Sequence, residues 1–176
     1  MEGGGIIDRA LAGVAGGGDV PLPLLLEAFW SHRPDHLDAY PGVIGTLTAL
    51  RPRALLGLVT DGEPRGQRAK IDAAGLSGLF DAVVLSDELG REQRNSDPAP
   101  FLAVLERLGV EAAQAVFVGD RPDKDVVGPA RVGMWTLRVQ TGEYARVADD
   151  PRPWQSAPDV PAAIRPLAPW LGPPFR

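Results

Sequence analysis

Two acidic residues close together in the second half of the chain could hold a metal ion. Asp120 follows the apolar run Ala115–Val118 through Gly119, and Asp125 comes five residues later, where a helix begins. Two carboxylates at that spacing can converge on a hard cation such as Mg²⁺, which prefers oxygen ligands. A structural role is the alternative, with Asp120 forming the turn and Asp125 capping the helix. The stretch therefore predicts either a metal site or a plain strand-to-helix connection.

A second polar turn, in the first half of the chain, could bind phosphate. The apolar run Leu55–Val59 ends in Thr60, Asp61 and Gly62. A hydroxyl followed by backbone amides in a tight turn is a natural cradle for phosphate oxygens. The alternative is again a simple connection between a strand and a helix.

Short apolar runs alternating with helical stretches must position both turns. Three of the helical stretches are each followed by a glycine, which is typical of a helix C-terminus. Nearly continuous apolar strands separated by helices imply a parallel sheet covered on both faces. We therefore predict an α/β fold, a doubly wound, Rossmann-like parallel sheet, whose ligands bind at the carboxyl ends of the strands. The predicted strands are 55–59, 82–85, 115–118 and 135–139, and the predicted helices are 22–31, 43–50, 65–74, 98–108 and 125–132.

The bulk composition excludes several classes of function. The 176 residues carry a net charge of −5 with scattered basic residues, so nucleic acid is not expected as a partner. The absence of cysteine excludes disulfides and thiolate metal sites. No apolar run approaches the ~20 residues that span a bilayer, and the N-terminus lacks the features of a signal peptide. We expect a cytoplasmic protein without a membrane partner.

Together these pieces resemble the haloacid dehalogenase-like superfamily of hydrolases, most of which are Mg²⁺-dependent phosphatases. The stretch 59–62 looks like the second motif of the superfamily, 119–125 looks like its fourth, and 85–92 with 97–101 resembles its third region. The resemblance covers roughly residues 41–142. It implies Asp120, Asp125 and Asn95 as catalytic residues, Asp120 and Asp125 as ligands of a weakly bound Mg²⁺ cofactor, and a small anionic, phosphorylated substrate bound by Thr60, Asp61 and Gly62.

The resemblance also suggests how the chain is divided. Residues 1–42 are expected to be part of a small helical cap, 43–142 the α/β core, and 143–176 a proline-rich tail that packs on the core. In relatives the cap closes over substrate, so Arg33 is a candidate substrate-binding residue, with a surface or core role as the alternative.

Two departures from the family pattern bear on activity. Family members begin with an apolar strand that ends in Asp-x-Asp, whose first Asp attacks phosphorus and whose second acts as general acid and base. No such strand precedes the cap-like region here, where Asp8 is the only candidate. Asn95 stands where the third region normally has a lysine, so a hydrogen-bond donor replaces a charge. Asn95 is nevertheless expected at the mouth of the pocket, with Arg91 or Arg94 as alternative cations.

The missing strand would lie at the centre of the sheet, between the strands that end at Val59 and Val118. Because unpaired backbone groups are costly when buried, we expect direct pairing of these two strands, or a strand from a second copy or a partner chain. Three functions stay open. The chain is a divergent hydrolase-like protein with an impaired or repurposed mechanism, a non-catalytic binding or scaffolding subunit, or an incomplete sequence of an ordinary Mg²⁺-dependent phosphatase.

Overall fold

The computed structural model describes residues 21–31, 34–90 and 97–171. The chain divides into two compact units, residues 1–35 and residues 36–176. In the first unit the structure describes helix α1 (Leu22–Ser31), at the predicted position. Every other element below belongs to the second unit. The finer division at residues 42 and 142 stays a prediction.

In the part of the chain that the structure describes, five parallel strands form two separate half-sheets. In the first half-sheet, β1 (Gly57–Thr60) pairs with β2 (Ala82–Leu85). In the second half-sheet, β3 (Val116–Gly119) pairs with β4 (Trp135–Val139), and β4 pairs with β5 (Gln155–Ala157). Parallel strands alternating with helices confirm the predicted doubly wound, Rossmann-like α/β fold.

Helices connect the strands close to the predicted positions. None of those that the structure describes is long and apolar enough to cross a membrane. The α-helices of the second unit are α2 (Val43–Leu50), α3 (Pro64–Ala73), α4 (Ala99–Leu108), α5 (Val127–Arg131), α6 (Val160–Ile164) and α7 (Ala168–Leu171). Short 3₁₀ helices cover Ser86–Glu88, Ala112–Gln114, Gly142–Tyr144 and Arg165–Leu167, and a π-helical turn covers Pro122–Val126.

Helix α4 packs against both half-sheets. The ring of Phe101, which is fully buried, meets Phe117 of β3 edge to face, with 5.1 Å between the ring centroids. Further along the helix, Val104 and Leu108 lie over Gly57 of β1, where a side chain would meet Val104 at 2.7 Å. The helix therefore fixes the position of one half-sheet relative to the other.

Direct pairing between β1 and β3, which the sequence favoured, is wrong. The two strands belong to different sheets, and each is an edge strand on the side away from its partner. Pairing them would require one half-sheet to shift sideways, and the contacts of α4 with both strands oppose that shift. Among the described residues no strand lies between them, so completion of the sheet by another chain stays a prediction.

The proline-rich tail contributes to the second half-sheet. Strand β5 extends this half-sheet, and Ala163 of α6 is buried against Leu137 and Val139 of β4. After β5 the tail forms α6 and a 3₁₀ turn, Arg165–Leu167. Strand β5 was not predicted because its sequence, Gln-Ser-Ala, has no apolar alternation.

Candidate active site

The Asp125 side chain lies against the backbone of Asp120 in the turn that follows β3. The Oδ2 atom of Asp125 accepts hydrogen bonds from the backbone N–H groups of Asp120 and Arg121, both at 3.0 Å. The π-helical turn of residues 122–126 brings the second acid back onto the end of the strand. Asp125 does not cap a helix in the ordinary way, because its amide partners come from the preceding loop.

Gly119 makes room for the Asp125 carboxyl group. A Cβ atom on Gly119 would lie 2.4 Å from Cβ of Asp125 and 2.5 Å from its Oδ2. Real Cβ contacts are not that short, so any side chain at position 119 would displace the acid. The glycine before Asp120 is therefore required for the geometry of the acid pair.

The pKa of Asp125 shows that its negative charge is unfavourable in the folded protein. The pKa is raised to about 6, with burial in the turn as the largest cause and the charge of the nearby Asp120 carboxylate as a smaller one. Hydrogen bonds from the amides of Arg121 and Asp120 oppose the rise, as does the charge of Arg121. Two acids whose charges repel in a half-buried turn are suited to a cation, because a cation favours the ionised forms of both.

A glutamine of α3 holds the turn after β1 in place through hydrogen bonds. The Thr60 hydroxyl lies 3.4 Å from Oε1 of Gln67, and the Gln67 side-chain amide donates to the carbonyl of Asp61 at 2.7 Å. Gly62 has a φ of +131°, and a Cβ atom there would lie 2.4 Å from Nε2 of Gln67. The three residues predicted to contact phosphate therefore form one braced turn.

Two backbone N–H groups in the first turn of α3 already donate hydrogen bonds to a carboxylate of the protein. The side chain of Glu63 accepts from the N–H groups of Arg65 at 3.0 Å and Gly66 at 2.7 Å. These amides would otherwise attract an anion at the helix N-terminus. The predicted phosphate cradle is therefore restricted to the Thr60 hydroxyl and the backbone of Asp61 and Gly62.

Asp61 connects the two turns through Lys124. Its Oδ2 atom lies 3.1 Å from the Lys124 ammonium, and its Oδ1 accepts from the fully buried Ser86 hydroxyl at 2.6 Å. The two ion-paired side chains are only 18% and 26% exposed. Since Asp61 follows β1 and Lys124 follows β3, the pair brings the ends of both half-sheets to one place.

Sequence reasoning missed Lys124 and Ser86, although a signal for each was present. Ser86 comes directly after β2, as Asp61 comes directly after β1 and Asp120 directly after β3, so its position at a carboxyl end could have indicated it. Lys124 lies beside Asp125 in a turn already chosen for its acids. Its attraction to Asp61 depends on the spacing of the two half-sheets, which the sequence does not reveal.

Two predicted site residues lie outside the described residues. Asn95, expected at the mouth of the pocket, and Arg33, expected to contact substrate, both stay predictions. The same holds for Asp8 and for the alternative cations Arg91 and Arg94.

The acid pair fits a magnesium ion that keeps most of its water. Among the described residues no group of three or more histidines and acids could hold a metal. Mg²⁺, however, is commonly held by one or two carboxylates, with water and substrate phosphate filling its other positions. The mutual repulsion of Asp120 and Asp125 is the feature of this site that a cation would relieve.

A pocket of about 330 Å³ lies elsewhere, beside α3 and the start of β2. It contains none of the predicted site residues and lies away from the carboxyl ends of the strands. Ligands of doubly wound sheets bind at those carboxyl ends, so we place the functional site at the acid pair. The residues that line this pocket include Arg68, Asp72, Ser77 and Phe80.

The chain is similar in sequence to curated phosphatases. Glyceraldehyde 3-phosphate phosphatase of Methanopyrus kandleri is 42% identical over 125 residues, which are 70% of this chain and 52% of that protein. Phosphoserine phosphatase of Thermus thermophilus is 37% identical over 129 residues, 73% and 51% of the two chains. The chain thus spans about half the length of the curated relatives that it matches.

The fold has close counterparts among solved structures. A haloacid dehalogenase-like phosphatase from Thermococcus onnurineus superimposes with a TM-score of 0.62 at 33% identity, over 88% of this chain and 66% of that one. A family model described as haloacid dehalogenase-like hydrolase matches residues 15–133, which include both turns of the site. The chain belongs to the haloacid dehalogenase-like hydrolase family.

Proposed function

We propose that the chain binds a small phosphorylated metabolite together with Mg²⁺ where the carboxyl ends of β1 and β3 meet. The observation that supports the proposal is the contact of Lys124 with Asp61, because it joins the turn of Thr60, Asp61 and Gly62 to the turn that holds Asp120 and Asp125. The substrate class is supported by relatives named as phosphatases of glyceraldehyde 3-phosphate and phosphoserine.

The described residues divide the work of binding between the two turns. Asp120 and Asp125 would hold Mg²⁺, which supplies charge neutralisation at a phosphoryl group when it is bound. Thr60 would turn its hydroxyl from Gln67 to a phosphate oxygen, since its present contact at 3.4 Å is weak. Lys124 would offset the negative charge that accumulates between the turns. Asn95 and Arg33 are proposed as further contacts to substrate.

We propose that the covalent aspartyl-phosphate route is lost or impaired in this chain. The replacement of the third-region lysine by Asn95 supports this, because an amide does not offset the charge between nucleophile and phosphoryl group.

Ligand binding and turnover, measured on the same protein, test this proposal. We expect binding of phosphate and Mg²⁺ by calorimetry, with hydrolysis of generic phosphate esters below the usual enzymatic range of ~1–10³ s⁻¹. Turnover within that range, abolished by Asp120→Asn, would show that the family mechanism is intact. Failure to bind phosphate or Mg²⁺ would favour the alternative of a non-catalytic scaffolding subunit.

We also propose that a strand from a second copy or from a partner chain completes the sheet. Strands β1 and β3 are edge strands of two half-sheets that point the same end toward the site. Such edges are open to strand addition. Sedimentation equilibrium, with amide exchange at Leu58 and Val118, should show self-association that slows exchange as concentration rises. Exchange rates that do not depend on concentration, or on an added partner, would contradict the proposal.

A further inference from the structure

Arg138 of β4 is a charged side chain with no exposed surface. Its Nε donates to the carbonyl of Asp120 at 3.2 Å, its Nη2 donates to the carbonyl of Tyr144 at 2.7 Å, and its Nη1 forms an ion pair with Asp149. Burial of a guanidinium is costly unless its donors are satisfied. Here they are satisfied by two segments of chain, the turn of the acid pair and the loop of residues 142–149.

Register explains why this side chain reaches both segments. Arg138 lies opposite Gly119 on one side and opposite Ser156 on the other. Side chains in one row of a sheet point to the same face. In this row the glycine admits the Asp125 carboxyl group, the arginine binds the Asp120 carbonyl, and the Ser156 hydroxyl donates to Oδ2 of Asp149 at 2.6 Å.

The loop of residues 142–149 also lies directly against the acid pair. A Cβ atom built on Gly142 would be 3.7 Å from Oδ2 of Asp120. At the next turn of the loop, the Tyr144 ring lies under the Arg121 guanidinium, 4.6 Å from ring centroid to Cζ. Asp149 holds the far end, and its pKa is lowered by the hydrogen bonds from Ser156 and Arg138. The loop therefore has its two ends fixed by groups that also fix the acid pair.

We propose that Arg138 is a positioning residue, which aims Asp120 by holding its carbonyl and the loop of residues 142–149 in one network. This inference rests on the proposed function, because a change in the orientation of Asp120 would alter the affinity of the acid pair for Mg²⁺. Groups that orient the ligands of a metal typically change its affinity by about 10–100-fold when they are altered. Arg138 touches neither metal nor substrate, so its action goes through the backbone of Asp120.

The decisive variant is Arg138→Lys, which keeps the charge but cannot span the three acceptors. We expect its dissociation constant for Mg²⁺ to rise at least ~10-fold, and amide exchange at Asp120 and Arg121 to become faster. Ser156→Ala, which leaves Arg138 in place and removes one support of Asp149, should show the same changes at a smaller size. Arg107→Lys is the matched control, since Arg107 also donates to a backbone carbonyl, that of Val83 in the other half-sheet.

A purely structural role for Arg138 predicts a different pattern. The Arg138→Lys protein would then lose stability to denaturant, while its Mg²⁺ affinity and the exchange of the Asp120 and Arg121 amides stayed within twofold of the parent. That result overturns the inference. If Arg138→Lys does not fold, Ser156→Ala decides by the same two readouts. If the parent binds no Mg²⁺, the proposed function fails, and amide exchange alone decides the role of Arg138.

Discussion

The two half-sheets differ in whether the carboxylates at their ends are neutralised within the protein. At the end of β1, the negative charge of Asp61 is balanced within the protein by Lys124 and a hydrogen bond from the buried Ser86. At the end of β3, burial and, to a smaller extent, the charge of Asp120 raise the pKa of Asp125 to about 6. One end of the site is neutralised, and the other has an excess of negative charge.

The contrast indicates which ligand each half serves. A carboxylate that is paired internally gains little from a metal, whereas two repelling acids gain stability when a cation arrives. We therefore propose that the second half-sheet binds the metal. We propose that the turn after β1, with Thr60 and the neighbouring ammonium of Lys124, binds the phosphate oxygens. Substitutions in one half-sheet should therefore affect mainly the ligand that this half-sheet binds.

The largest effect is expected from Asp125→Asn. Loss of one charged ligand should weaken Mg²⁺ binding ~100-fold or more, because affinity follows the number of ligand charges. Without Mg²⁺ at pH 7 the same change should raise the free energy of unfolding by about 1–2 kcal/mol, since the ionised form is disfavoured by burial. Calorimetry and urea unfolding measure the two quantities.

Asp123→Asn is the control for that experiment. Asp123 is 62% exposed and pairs only with Arg121 among the described residues. An exposed pair of this kind is worth at most ~1 kcal/mol, so both quantities should stay close to those of the parent. Equal losses of Mg²⁺ affinity in the two variants would contradict the proposal that Asp125 is a ligand of Mg²⁺.

Gly119→Ala should disturb the second half-sheet through sterics alone. The added Cβ would lie 2.4 Å from Cβ of Asp125, so we expect a loss of ~1–3 kcal/mol in stability together with weaker Mg²⁺ binding. Gly45→Ala is the matched control, because nothing lies within 4 Å of the Cβ it would add in helix α2. There the helix should gain ~0.5–1 kcal/mol. A neutral effect at position 119 would contradict the close packing of the acid.

Lys124→Met should disturb the first half-sheet instead. It leaves the Asp61 carboxylate partly buried without its cation, which should cost about 1–3 kcal/mol in stability. Combining it with Asp61→Asn should recover part of that loss, and the resulting double-mutant cycle gives the coupling energy of the pair. Lys70→Met, at an exposed position of α3, serves as the control. Additive losses would show that the pair does not connect the half-sheets.

The smallest effect is a change of stability with pH. The folded pKa of Asp125 is raised to about 6 from an ordinary 3.8, so the native state holds a proton that the unfolded state has released between these values. The free energy of unfolding should therefore fall as pH rises from about 4 to about 6 and should change little from this group above it. The slope should be absent in Asp125→Asn and unchanged in Asp123→Asn.

Local patterns in the sequence predicted strands β1 to β4, most of the helices and both polar turns. Short apolar runs indicated the four strands and glycines marked the ends of three helices, whereas β5, whose sequence lacks apolar alternation, was missed. The features that the sequence did not reveal depend on contacts between residues that are far apart in the chain. Direct pairing of β1 with β3 was wrong because α4 packs on both, and the salt bridge between Lys124 and Asp61 spans 63 positions in sequence. Arg138, in an apolar run, gave no sign of its three partners.

We propose that the acid pair after β3 binds Mg²⁺ and that the turn after β1 binds phosphate. The most direct test is a calorimetric titration of Mg²⁺ and then inorganic phosphate into the parent, Asp125→Asn and Lys124→Met proteins. The account predicts that Asp125→Asn loses Mg²⁺ binding. It predicts that Lys124→Met keeps its Mg²⁺ affinity within a few fold but loses phosphate affinity ~10-fold or more, since it removes a charge-assisted contact. Loss of Mg²⁺ binding in Lys124→Met, with normal Mg²⁺ binding in Asp125→Asn, would contradict it.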